Sequence, residues 1–145
     1  RYESTEDALS RFSADPLVFP AGTQYRYSTY GYTLLGAAIE SAAGKPFLEY
    51  LQESVLDPIG MSATSADRAD GQIPDLTSFY HRDLESNVIP APMIDTSYKW
   101  AGGALVSTSA DLLHFANQMM HPTLITLEMR DQMWTEMTRR GIARH

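Results

Sequence analysis

The chain has 145 residues, no cysteine, 43% hydrophobic and 20% charged residues, and 11 Lys+Arg against 18 Asp+Glu gives a net charge of −7. That length suits one domain able to bury most of its apolar surface, and the missing cysteines exclude disulfide scaffolds, thiol nucleophiles and thiolate metal sites. The acidic balance speaks against a nucleic-acid partner, and no apolar run approaches the roughly 18 residues of a membrane span.

In chain order, Ser4 with Asp7 reads as a capping box opening a helix to Phe12, with Ala8, Leu9 and Phe12 on one face. Asp15-Pro16 and Pro20-Ala21-Gly22 then break the chain. From Tyr30 to Ala43 the periodicity is helical: Leu34, Leu35, Ala38, Ile39 and Ala42 form an apolar stripe, and Gly44 stands where a helix-ending glycine belongs. Gly31 and Gly36 inside that helix each cost about 1 kcal/mol relative to alanine, which suggests close approach to a neighbouring element. Pro46 opens a second helix bearing Phe47, Leu48, Leu51, Val55 and Leu56, and Asp57-Pro58-Ile59-Gly60 stops it.

Residues 62–99 lose helical periodicity, with prolines at 74, 90 and 92 and two short strand-like stretches, Phe79-Tyr80 and Val88-Ile89. So long an irregular excursion inside one domain is either functional or disordered, and its tyrosines with Trp100 favour order. Thr108 and Asp111 make a second capping box before a helix with Leu112, Leu113, Phe115, Ala116 and Met119, which Pro122 ends. A last helix is predicted from Thr126 to about Met137, and the polar tail 139–145 is predicted to fray. The fold class read from this is mainly α, with a long irregular middle and a few short strands.

Most catalytic signatures are absent. His81, His114, His121 and His145 show no H-E-x-x-H spacing, and Asp67, Asp70 and Gly71 lack the alternating oxygen ligands of a calcium loop, so neither a metal nor a cofactor is expected. Gly102-Gly103 lacks the ending of a phosphate loop, and the Met119-Met120 and Met133-Met137 set suits a core better than a cofactor box. No serine is followed three positions later by lysine, and no G-x-S-x-G elbow occurs. The richest cluster is Tyr25-Arg26-Tyr27-Ser28-Thr29-Tyr30-Gly31-Tyr32, immediately before a helix. It reads either as a capped helix start wrapped in aromatics or as a tyrosine poised beside the positive end of a helix dipole.

Three stretches carry a resemblance. Pro20 to Gly36, around Tyr27-Ser28-Thr29, resembles the Tyr-x-Asn region of the serine β-lactamase and penicillin-binding-protein family. Leu56 to Met61 resembles that family's P-L-G-M helix ending, and Ser97 to Phe115, with Gly102-Gly103, resembles its A-G-G-x-x-S-T-x-x-D-L-x-x-F stretch. The wording Tyr-Ser-Thr and Ser-Tyr-Lys-Trp-Ala-Gly-Gly is most similar to the branch of mitochondrial β-lactamase-like serine proteases and their bacterial relatives. The resemblance spans roughly residues 2 to 137.

It implies acyl-enzyme chemistry on a small peptide, amide or ester substrate, with no cofactor and no metal. Tyr27 would be the general base and Thr29 would stand at the motif's asparagine position, a departure that favours peptidase or esterase over true β-lactamase activity. Tyr98, Trp100, Gly102 and Gly103 would line the substrate groove. The family's Ser-x-x-Lys nucleophile motif and its Lys-Thr-Gly or His-x-Gly strand have no counterpart here, and Lys45 and Lys99 match neither lysine position. The expectation is therefore a single helical (lid) domain over residues 1–145, excised from the α/β half of a β-lactamase/DD-peptidase-like α+β fold and inactive alone. That α/β half would be its partner, self-association would follow in its absence, and a bacterial parent would be exported or periplasmic. A non-catalytic binding or scaffold module reusing the same helical domain is the alternative.

Overall fold

The computed structural model describes residues 5–68 and 73–135. Helix α1 is Thr5–Leu9, shorter than the span to Phe12 that the periodicity suggests, and Ser4, expected to cap it, lies outside the described residues. Phe12 instead sits in a turn whose N–H reaches Leu9 O at 3.1 Å, and its ring stacks on Tyr30 at 4.7 Å.

Helix α2, Thr29–Ala43, is the longest element. Ser28 occupies the N-cap with extended backbone, but its hydroxyl makes no capping bond. At the other end Gly44 adopts φ 67°, a left-handed conformation that L side chains rarely take, and its N–H closes on Glu40 O at 2.9 Å. Helix α3, Phe47–Leu51, follows Pro46. Its first free N–H is satisfied across the bend, since Phe47 N donates to Glu40 Oε1 at 2.7 Å.

A single helix over 46–56 is what the sequence suggests; α3 instead opens into a π-helical turn, Gln52–Leu56. The wider turn is closed by Asp57 N–H on Gln52 O at 2.9 Å and by the Gln52 amide on the Asp57 carboxylate. It rotates Leu51 and Val55 onto the buried cluster of Leu56, Ile59 and Met61.

The irregular middle holds two small antiparallel pairs. Strand β1, Ser65–Ala66, pairs with β4, Leu105–Val106, in the register Ser65↔Val106 and Ala66↔Leu105. Strands β2, Tyr80–Arg82, and β3, Val88–Pro90, form a hairpin with His81 opposite Ile89. The second pair matches the strand-like stretches of the sequence; the first was not legible there. Asp70 and Gly71 lie outside the described residues.

Helix α4, Ser109–Met120, starts as its capping box implies, with Asp111 N–H donating to Thr108 Oγ1 at 3.2 Å. Helix α5, Leu127–Trp134, is capped by Thr126, whose Oγ1 accepts from Met129 N at 3.1 Å. Thr135 is already extended, so α5 ends before Met137; that residue and the tail 139–145 lie outside the described residues.

The apolar stripe of α2 does not face a core: Leu34 and Leu35 are more than half exposed, and the helix buries Thr33 and Gly36 instead. Helix α4 likewise buries Asp111 and leaves Leu112, Leu113 and Phe115 outside. The physical reason is that the elements touching α2 (α1, α3 and the turn around Trp100–Gly102) all lie on its polar and small-residue side.

Candidate functional site

The site is built where α2 begins. Tyr27 sits in the extended segment just before α2, with its ring 62% exposed and tilted 49° against Tyr32 at 6.0 Å between centroids. Thr29 is the first residue of the helix and is half-buried. The Tyr27 backbone thus leads directly into the start of α2, with Ser28 between it and the first helical residue.

A tight 3-10 turn, Trp100–Gly102, lies flat against this helix. Two glycines make the approach possible. A Cβ on Gly36 would fall 2.9 Å from Ala101 Cβ, and one on Gly102 would fall 3.2 Å from Thr29 Cγ2 and 3.5 Å from Tyr32 Cβ. Gly31, by contrast, meets nothing within 4 Å, so of the two glycines inside α2 it is Gly36 that serves close packing. Gly103 leaves the turn at φ 120°, a conformation that favours glycine. Thr33, buried to 4% exposure, ties the two elements together: its Oγ1 donates to Tyr98 O at 3.0 Å, and Thr29 O lies 3.4 Å away.

The structure therefore brings Thr29, Gly102 and the Tyr98 backbone into one assembly, with Gly103 at its exit and Tyr27 at its edge. The Tyr98 ring carries the Arg11 guanidinium at 5.0 Å and the Lys99 ammonium at 5.9 Å from its centroid.

Trp100 lines a cavity of about 430 Å³ with Glu40, Gly44, Pro46 and Phe47, and a smaller one with Thr33, Gly36 and Tyr98. Its Nε1 is buried and has no hydrogen-bond partner among the described residues. Sequence reasoning missed Thr33 and the Gly36–Ala101 contact; the signal was a threonine lying off the apolar stripe, four residues after Thr29 and three before Gly36.

A second polar hub stands behind this site. Asp111 Oδ2 accepts from Ala63 N at 2.9 Å and Thr64 Oγ1 at 2.7 Å, and Thr64 Oγ1 is 2.7 Å from Ser107 Oγ. This binds the β1–β4 pair to α4, and β4 follows directly from the Gly102-Gly103 turn. Among the described residues no cluster of three His, Asp or Glu could hold a metal ion, and no helix is long and apolar enough to cross a membrane.

Comparison with known proteins bears on this geometry. The β-lactamase family model matches residues 1–144. The mitochondrial serine β-lactamase-like protein LACTB of Mus musculus is 38% identical over 121 residues, which is 83% of this chain and 22% of that protein. A D-aminopeptidase of Gluconobacter oxydans is 32% identical over 95 residues, 66% of this chain and 18% of that protein. Among solved structures, a penicillin-binding protein from Bacillus halodurans superposes with a TM-score of 0.80 at 22% identity, over 92% of this chain and 41% of that one; at that identity the likeness speaks for the fold. The chain thus spans about a fifth of the length of these curated relatives.

Proposed function

This chain belongs to the β-lactamase family, and from that premise we propose that it is the helical part of a β-lactamase-like serine hydrolase, in which Tyr27 is the general base. The supporting observation is the placement of Tyr27: an exposed phenol in the segment leading into α2, its ring against that of Tyr32.

In the proposed reaction a serine hydroxyl, supplied from outside these residues, attacks the carbonyl of an amide or ester. Tyr27 accepts the hydroxyl proton as the C–O bond forms, then returns it to the leaving nitrogen or oxygen as the scissile bond breaks. Water releases the acyl group by the same proton route in reverse. Thr29, where the family motif has asparagine, offers one hydroxyl in place of an amide's two donors and carbonyl. That supports a peptidase, amidase or esterase reading over β-lactam hydrolysis, as does the similarity to a D-aminopeptidase.

Tyr98, Gly102 and Gly103 are proposed to flank the substrate. Trp100, which lines cavities along α2 with Glu40 and with Thr33, is proposed to wall the groove. The chain alone lacks a nucleophile motif and is proposed to be inactive, its partner being an α/β half that carries the serine.

Thr29 also favours a second reading, a non-catalytic module on the same fold, because its methyl group packs onto Gly102. Intact mass after exposure to a fluorophosphonate or a β-lactam separates the two. An adduct on the gene product that contains this chain, with none on the chain itself, is the expected result. An adduct on a serine of this chain would overturn the assignment of roles, and labelling of neither would favour the binding module.

A further inference from the structure

We propose that Thr33 is a positioning residue for the site: its hydroxyl fixes the depth and register at which the turn 97–103 sits against the helix carrying Tyr27 and Thr29. The inference rests on the proposed role of Tyr27 for its catalytic consequence, though not for its structural content.

Three of the contacts between turn and helix differ in kind. Gly36 against Ala101 and Gly102 against Thr29 are steric limits; they state how close the turn can come, and a repulsive wall does not hold anything at that distance. A directional, attractive contact is the hydrogen bond from Thr33 Oγ1 to Tyr98 O at 3.0 Å. A threonine inside a helix ordinarily turns its hydroxyl back to the carbonyl four residues earlier. Here that carbonyl is Thr29 O at 3.4 Å, and the single hydroxyl proton goes to the nearer acceptor on the turn.

Thr33 is buried at 4% exposure, so water does not replace the bond when it is lost. Its anchor lies at one end of the turn and the Gly102–Thr29 contact at the other. Release at Tyr98 O therefore loosens the turn at that end and weakens the packing of Gly102 on Thr29. Thr33 itself touches no reacting atom in this scheme.

The test compares Thr33→Val, which keeps the shape and removes the hydroxyl, with Thr33→Ser, which keeps the hydroxyl. In this chain, the nuclear Overhauser effect between the Thr29 γ-methyl and the Gly102 α-protons is expected to survive in the serine variant and to fall severalfold in the valine variant. Signals of the Leu56, Ile59 and Met61 cluster should stay dispersed in both. In the gene product that contains the chain, acylation by a fluorophosphonate is expected to slow about tenfold in T33V, the size of one net hydrogen bond, and to recover in T33S.

Should T33V fail to fold, Thr33→Ala removes the hydroxyl without adding bulk and carries the same readouts. An unchanged methyl–glycine effect in T33V, or an equal loss in T33S, overturns the proposal. A wild-type gene product that is never acylated would instead defeat the catalytic reading of Tyr27, while the magnetic resonance comparison would still decide for or against Thr33.

Discussion

Asp111 shows how a single side chain holds two regions together. It is buried, its Oδ2 takes bonds from Ala63 N and Thr64 Oγ1, and its carboxylate sits in the first turn of α4, where the helix dipole favours it. Hydrogen bonds to a charged group contribute about 1.5–3 kcal/mol each, and removing one partner also strands the other. Asp111→Ala is therefore expected to cost about 3 kcal/mol, and Asp111→Asn, which can still accept both bonds through one oxygen, about 1 kcal/mol. Urea midpoints of the two variants check this, and equal losses would mean that the carboxylate acts by charge rather than by its two donors. The glycines allow a similar contrast. At Gly44 an added Cβ meets nothing, and only φ 67° opposes it, so Gly44→Ala should cost about 1 kcal/mol. At Gly36 the backbone is ordinary helix and the obstacle is Ala101 Cβ at 2.9 Å, so Gly36→Ala should cost about 1–3 kcal/mol and displace the turn. A thermal melt ranks the pair, and a larger loss at Gly44 would place the turn farther from α2 than described.

At the scale of elements, the β2–β3 hairpin makes the clearest pH statement. A two-stranded hairpin is marginal in water, and this one is exposed throughout its strands. Its loop is organised by Asp83, whose carboxylate accepts from Asn87 Nδ2 at 3.1 Å and from Asn87 N and Glu85 N at 2.9 Å each. The Asn87 side chain first, with its backbone N–H next, holds the Asp83 carboxyl below the usual carboxylate range. A depressed folded-state value means that this contribution is fully present above the unfolded value of about 3.9. It is lost as pH falls through the folded one. The hairpin amides should thus lose protection on acidification below about pH 4, before the Leu56–Ile59–Met61 cluster does, and Asp83→Ala should show the loss already at neutral pH. Hydrogen exchange of Tyr80–Arg82 against pH checks it; protection that ignores pH would remove Asp83 from this role.

Elements with a local chemical cause were readable in the sequence. Thr108 with Asp111, Gly44 and Pro122 act within a few residues, and the helix boundaries they mark are where the structure has them. What escaped depends on distant partners. The pairing of Ser65-Ala66 with Leu105-Val106 joins segments some 40 residues apart, with only two residues each to announce it. The π-helical turn at Gln52–Leu56 answers to the cluster that Leu56 must reach. The apolar stripe of α2 was read correctly as a stripe, yet its burial depends on a neighbour that periodicity cannot supply. The position of Tyr27 before the helix was legible; Thr33 was not, because a lone threonine carries no pattern of its own.

On the whole-molecule scale the outward apolar faces matter most. Leu34 and Leu35 on α2, Leu112 and Leu113 on α4, and Met133 and Trp134 on α5 are each more than half exposed. Among the described residues these are large apolar side chains left open to water on three helices, and exposed apolar patches are sites of association. The penicillin-binding protein of Bacillus halodurans, of which this chain covers 41%, has further chain from which such a cover could come. Burying apolar area stabilises by about 25 cal/mol per Å², so each exposed leucine is a standing drive towards association. Against it stand the entropy lost on association and, with a net charge of −7, like-charge repulsion, which salt screens over about 10 Å at 0.1 M. The chain is therefore expected to sediment with an apparent mass that rises with concentration, and more steeply as salt is added. Replacing Leu34 and Leu35 together by Glu should return it towards the monomer without altering its melt, since neither side chain is buried. A wild-type chain that stays monomeric at high concentration and high salt would mean that these faces need no cover, and the proposed α/β partner would lose one of its supports.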